Sequence, residues 1–203
     1  MGTFRLFDKV FWDFCIFMNG CGVENVYQRR KCPWRLQGRY RLRLRQRDDS
    51  EKSGLVNRTE HRGRLSIGYN GFPHLNFTTQ ADGTLFRQGA DEQQSGWAVQ
   101  QQAAYTRSWL HLNASIAYFH TDSYDARIYT YERSPLYTFT FPSLYGHGLR
   151  YSFMLRADIS SAFMMTFKWG VTDYFDRSVT GSGLQTVDGS SLTDLDLQFR
   201  WKF

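Results

Sequence analysis

Leu195-Asp196-Leu197-Gln198-Phe199-Arg200-Trp201-Lys202-Phe203 alternates apolar and polar residues without a break and stops on an aromatic ring. Leu195, Leu197, Phe199, Trp201 and Phe203 share one face, and Asp194, Asp196, Gln198, Arg200 and Lys202 the other. A period of two belongs to a strand, whose successive side chains point to opposite faces. The apolar side becomes more aromatic toward its end, as an aromatic girdle at a bilayer surface would. A half-buried soluble strand shares the alternation. A charged terminal carboxylate beside a large ring is nevertheless a poor finish for a soluble core.

Working back along the chain, the same period recurs. Trp34, Leu36, Gly38, Tyr40, Leu42 and Leu44 alternate with Arg35, Gln37, Arg39, Arg41, Arg43, Arg45 and Arg47. Further strands are expected over about 61–70, 75–85, 97–105, 110–118, 149–159 and 163–171, each with an apolar and a polar side. With the terminal segment this makes about eight strands. Short connections are expected at 70–73 (Asn70-Gly71 being a hairpin signal), 107–108 and 160–162. Long ones are expected at 48–60, 88–95, 120–147 and 176–191. Short and long alternate strictly if 120–147 is a single excursion, the asymmetry of transmembrane barrels with short turns on one side and longer loops on the other. A soluble sandwich has no reason to obey it. The fold class expected is all-β: an antiparallel transmembrane β-barrel of about eight meander strands, or the C-terminal arc of a larger barrel.

Composition agrees. Mean hydropathy is −0.52, and no apolar run reaches the ~18 residues a spanning helix needs. A barrel escapes that requirement because only alternate residues face lipid. The 12 Tyr, 17 Phe and 6 Trp suit interfacial belts and strands alike. The net charge of +6 has two readings. On a soluble strand the arginines would form a ladder for phosphate. In a barrel they line the polar interior, where Asp158, Asp194 and Asp196 share their parity and are natural partners. The cysteines, Cys15, Cys21 and Cys32, fit no common zinc spacing, so neither metal nor cofactor is expected.

Residues 1–33 form an atypical N-terminal segment, apart from the barrel region at 34–203. Asp8, Lys9 and Asp13 interrupt their apolar runs, and no clean export signal is present. An outer-membrane protein must be exported, which inclines the reading toward an arc with upstream strands.

Three stretches carry a resemblance: 118–132 (YFHTDSYDARIYTYE), 141–150 (FPSLYGHGLR) and the close at 197–203 (LQFRWKF). The close resembles the C-terminal signal read by the β-barrel assembly machinery. Together they resemble the C-terminal barrel region of outer-membrane proteins from Bacteroidetes-type bacteria, some of which carry an N-terminal helix-hairpin-helix domain. The resemblance implies a Gram-negative outer-membrane location, outer-membrane lipid and the assembly machinery as partners, and an assembly signal at Leu195, Leu197, Phe199, Trp201 and Phe203. The helix-hairpin-helix part is absent, so nucleic acid is not expected as a partner.

The function expected is therefore a non-enzymatic outer-membrane barrel with a pore, binding or structural role and an inward basic ladder of Arg35, Arg39, Arg41, Arg43, Arg45 and Arg47. One alternative is a soluble basic β-domain binding nucleic acid, in which Arg39 to Arg45 set the salt dependence. Another is a barrel enzyme with a rim site drawn from His120, Asp122, His147, Asp173 and Asp176, with Ser123 and Ser143 near. Acyl transfer needs nucleophile, base and orienting group in mutual reach, and no nucleophile elbow is present. Tyr129, Tyr131, Tyr137 and Phe139 read as an aromatic belt and loop hairpin, with a ligand platform as the sharper alternative. Arginine at Leu112 or Leu155 tests lipid exposure, at roughly 2–4 kcal/mol if the residue sits at the bilayer midplane.

Overall fold

Period-two sequence becomes strand throughout a computed structural model that describes residues 13–18, 23–28, 33–49, 54–89, 91–138, 141–181 and 186–203. No helix occurs among them. The strands are β1 (Asp13–Met18), β2 (Val23–Gln28), β3 (Trp34–Asp49), β4 (Gly54–Phe72), β5 (Leu75–Gln88), β6 (Gln94–Arg107), β7 (Leu110–Thr121), β8 (Ile128–Tyr129), β9 (Ser143–Leu144), β10 (His147–Asp158), β11 (Phe163–Tyr174), β12 (Val179–Thr180), β13 (Val187–Asp188) and β14 (Ser191–Trp201). Eight of them form one antiparallel meander in the order β3-β4-β5-β6-β7-β10-β11-β14. The expected segment 1–33 lies largely outside the described residues, but β1 and β2 pair with each other and β2 runs beside β3.

Three boundaries differ from the sequence expectation. Residues 48–60, expected as a loop, are mostly ladder: β3 and β4 stay paired out to Asp49 and Gly54. Charged residues alternate there too, so the strands run past the apolar band. The expected turn at Asn70-Gly71 is instead an irregularity within β4, whose register shifts between Tyr69 and Phe72. The Tyr69 ring lies where a Gly71 side chain would stand, which explains the glycine. The chain reverses at Pro73-His74, where Phe72 pairs with Leu75 and His74 takes φ 65°. Proline presets the first turn position, and the second requires positive φ. The loop hairpin expected around Tyr129, Tyr131 and Tyr137 is reduced to a ladder of Ile128-Tyr129 with Ser143-Leu144.

Burial along the meander is inverted relative to a soluble sheet. In β5, Asp82, Thr84 and Phe86 are buried while Ala81 and Leu85 are exposed; in β6, Ala98 and Gln100 are buried while Trp97 and Val99 are exposed. The polar side is covered because residues 122–138 and 141–146 fold back over it. Ile128 and Leu144 from that excursion meet Ala98, Ala117, Phe119 and Tyr174 of the sheet in a small apolar core. Among the described residues nothing covers the apolar side, where Leu36, Leu65, Ile67, Ile116, Leu195, Leu197 and Phe199 are all exposed.

Aromatic rings gather at both ends of this apolar side. At the short-turn end, Trp34 packs on Tyr69 at 4.5 Å, Tyr69 on Phe72 at 5.6 Å, and Phe163 on Phe199 and Trp201 at 6.1 and 5.9 Å. At the long-loop end, Trp97 meets Tyr118 at 5.5 Å, and His147 meets both Tyr118 and Phe175. Between the belts the face is largely aliphatic on β3 to β7, and on β10 and β11 it carries further rings, Tyr151 and Trp169 standing 5.6 Å apart. Its polar members Thr79 and Gln101 satisfy each other, the threonine hydroxyl donating to the amide oxygen at 2.6 Å.

Candidate functional site

The chemistry of this chain concentrates where the excursion crosses the polar face. Glu132 is carried there on an extended segment and receives Arg150 of β10 on both oxygens, at 2.7 and 3.0 Å. Lys168 of β11 stands 3.3 Å from the same carboxylate. Arg150 also reaches over β11 to Thr172 at 2.8 Å and to Asp194 of β14 at 3.1 Å. It crosses at Gly170, where a Cβ would stand 3.0 Å from the guanidinium. That crossing is one reason for a glycine in mid-strand. Gln198 holds the backbone of Leu136 through both amide groups, at 2.9 and 2.8 Å. At the other side Arg64 donates to the Tyr129 carbonyl at 2.9 Å, and Gln102 to that of Tyr131 at 2.9 Å. The excursion is thus tied from β4 to β14.

Beneath it lies a cleft of about 240 Å³, lined by Arg39, Arg41, Arg62, Arg64 and Arg127, by Thr84 and Thr130, and by Tyr129, Tyr131 and Phe141, with Asp82 as the one lining carboxylate. Register explains the crowding of cations. Arg39 stands opposite Arg64, and Arg41 opposite Arg62. Like charges directly across a ladder repel. Two acids relieve part of this: Asp82 pairs with Arg64 at 2.5 Å, and Glu60 pairs with Arg62. Asp82 is also engaged by the Gln80 amide at 2.6 Å. Tyr129 sits between two guanidiniums: Arg62 lies 5.6 Å from its ring centre, and Arg127 donates to its hydroxyl at 2.7 Å. The hydroxyls of Thr84 and Thr130 have no hydrogen-bond partner among the described residues, although the two threonines are only 3% and 1% exposed. Buried hydroxyls ordinarily have one.

The rim residues form a second cluster. His120 and His147 pack edge to face at 5.3 Å. The Tyr118 hydroxyl lies 2.6 Å from His147 Nε2. Asp122 accepts the Ser95 hydroxyl at 2.7 Å and the Ser95 amide at 2.8 Å. These bonds, the hydroxyl's foremost, hold its carboxyl below the usual range. Asp176 takes the His147 amide at 3.2 Å and is held low chiefly by Arg177. The order of contacts is wrong for acyl transfer, because Ser95 bonds the aspartate rather than a histidine that could take its proton. Asp173 binds Ser191 and Ser123 binds Gln94, so neither joins the histidines.

Of the ladder, Arg39 and Arg41 enter the cleft; Arg35 lies exposed at the far end of β3, and Arg43 pairs in register with Glu60. The side chains of Arg45 and Arg47, like residue Phe139, lie outside the described residues. Asp194 does meet an arginine, but Asp158 pairs with Arg156 of its own strand at 3.0 Å. Sequence reasoning missed Glu60, Asp82 and Glu132 as the main acid partners. The parity of Glu60 and Asp82 with Arg62 and Arg64 could have revealed two of them; nothing in the irregular stretch around Glu132 could have revealed the third. Leu195, Leu197, Phe199 and Trp201 occupy the apolar side of β14, and Phe203 follows it, fully exposed. Among the described residues no group of three or more His, Cys, Asp or Glu is placed to hold a metal.

No protein-family model, curated protein or solved structure matches this chain. The resemblance to Bacteroidetes-type outer-membrane barrels rests on its sequence stretches alone.

Proposed function

We propose that this chain is an integral outer-membrane β-barrel protein, or the C-terminal part of one, that faces its arginine-rich side inward and serves a binding or structural role rather than an enzymatic one. The observation that carries this reading is the inverted burial of the meander. An uncovered aliphatic face spanning eight strands would expose far more contiguous apolar surface than the few hundred Å² usual for a soluble monomer. In lipid that exposure costs nothing. The belts have suitable separation. Trp97 and Tyr105 stand eight residues apart on β6, about 27 Å along a strand, or about 21 Å of depth at a ~40° tilt, close to the ~25 Å apolar band of such barrels.

The excursion argues for a filled interior over an open pore, because it covers the polar face from β4 to β14. A soluble nucleic-acid platform is disfavoured by the same fact, since Arg62, Arg64 and Arg150 point beneath the excursion and are engaged there. Outer-membrane lipid is the expected surrounding. The alternating β14 with its aromatic end would serve as the segment read by the assembly machinery, and further strands of the same barrel would pair along the β3 edge of the sheet.

The test is to refold the full chain into detergent and into lipid vesicles and compare boiled with unboiled samples on a gel. A mobility shift with protease resistance is the expected result. Soluble folding without detergent would defeat the reading.

A further inference from the structure

We propose that the cleft between β3–β5 and the excursion is a binding site for a small organic anion carrying a flat apolar group, of which an aryl phosphate is the simplest example. The cleft exists whether or not the sheet crosses a membrane, so this inference stands apart from the preceding one.

Charge gives the first half of the ligand. Among the described residues five guanidiniums and one carboxylate line the cleft; Asp82 is already taken by Arg64 and Gln80, and Arg62 also has Glu60. The register that sets Arg39 against Arg64 and Arg41 against Arg62 brings like charges together. An oxyanion among them would offset that repulsion. Guanidinium forks match oxyanions in geometry as well as charge.

The orphan hydroxyls give an independent sign. Thr84 and Thr130 are nearly wholly buried, line this cleft and lack partners. They come from opposite walls, Thr84 from β5 and Thr130 from the excursion. Their hydroxyl oxygens are closed to solvent, so a multi-oxygen ligand between the walls would reach them after a rotation of the threonine side chains and would then supply the missing acceptors, beside the guanidiniums.

Size and aromatic lining give the second half. At about 240 Å³ the cleft is smaller than the roughly 300–1,000 Å³ of drug-sized sites, so the ligand is small. Tyr131 and Phe141 pack on each other at 6.2 Å and line the same space. They offer an apolar wall, while Tyr129 is committed to Arg62 and Arg127.

The experiment is titration calorimetry on the full chain in detergent at low salt, with phenyl phosphate, inorganic phosphate and benzyl alcohol as probes. Saturable binding of phenyl phosphate is expected, at least tenfold tighter than inorganic phosphate, weakening with added salt, and absent for benzyl alcohol. Arg127→Gln and Thr130→Val should each weaken it at least fivefold. Arg156→Gln, engaged with Asp158 at the other end of β10, should leave it unchanged. No saturable binding overturns the proposal. So does equal weakening by Arg156→Gln, which would mean unspecific attraction to a basic protein. Equal affinity for the two phosphates would overturn the aryl part.

Discussion

Arg150 and Glu132, eighteen residues apart, form a two-pronged ion pair whose side chains are 4% and 2% exposed, between a meander strand and the segment that folds over it. Lys168 shares the carboxylate, so Glu132 stands against two buried cations. Removing one partner of a buried pair typically costs about 3–5 kcal/mol, because the other charge is left uncompensated. Glu132→Gln should therefore lower the urea midpoint markedly and open the excursion to protease. A double variant, Glu132→Gln with Lys168→Met, should recover part of that loss. If Glu132→Gln leaves the midpoint unchanged, the pair does not hold the excursion down.

Gly96 marks a point where the excursion crosses close upon the sheet. A Cβ there would stand 2.5 Å from the Ala126 carbonyl oxygen and 2.9 Å from Thr121 Cγ2. Overpacking of this kind costs about 1–3 kcal/mol. Gly96→Ala should loosen residues 122–146 while the meander persists, with faster proteolytic nicking of that segment and unchanged far-ultraviolet dichroism.

Acid should release the ends of the excursion before the sheet. Asp122 and Asp176 are both held below the ordinary carboxylate range, by Ser95 and by Arg177 respectively. A carboxylate with a lowered folded-state value contributes stability that is complete above the unfolded value of about 3.9 and is lost as pH falls through the lower folded value. Both groups are substantially solvated, so the effect is local. Pepsin cleavage within 122–146, normalised to an unfolded control at the same pH, should rise steeply below about pH 4, and Asp122→Asn should already show part of that loosening as faster trypsin cleavage at neutral pH.

The exposed aliphatic side can be tested by charge. Ile116, 47% exposed and paired with Gln101 midway between Trp97 and Tyr105 of β6, is a sharper site than Leu112 or Leu155, which are half-buried nearer the short-turn end. Arginine there should cost roughly 2–4 kcal/mol in a bilayer and almost nothing in water. Folding titrations in vesicles separate the two outcomes.

The meander was legible because each of its eight strands keeps a period of two along most of its length, and among the described pairings parity slips at one place, between Tyr69 and Phe72 of β4. The turns were less so. Asn70-Gly71 has turn chemistry, yet the pairing of Phe72 with Leu75 moves the reversal to Pro73-His74. The cleft was half legible. Arg39 and Arg41 announce a basic face, and Tyr129 and Tyr131 could be suspected as a platform. Their convergence depends on how an irregular segment folds back, which no periodicity encodes. Glu132 is the plainest case: one acid in a tyrosine-rich stretch, made central only by Arg150 and Lys168 across space.

The most direct measurement of the central account is tryptophan quenching in vesicles. Trp34, Trp97, Trp109, Trp169 and Trp201 are all exposed in the folded chain. If that exposure faces lipid, brominated acyl chains should quench most of the fluorescence while aqueous iodide quenches little. Strong quenching by iodide with none by brominated lipid would contradict the account and place the apolar side of the sheet in water.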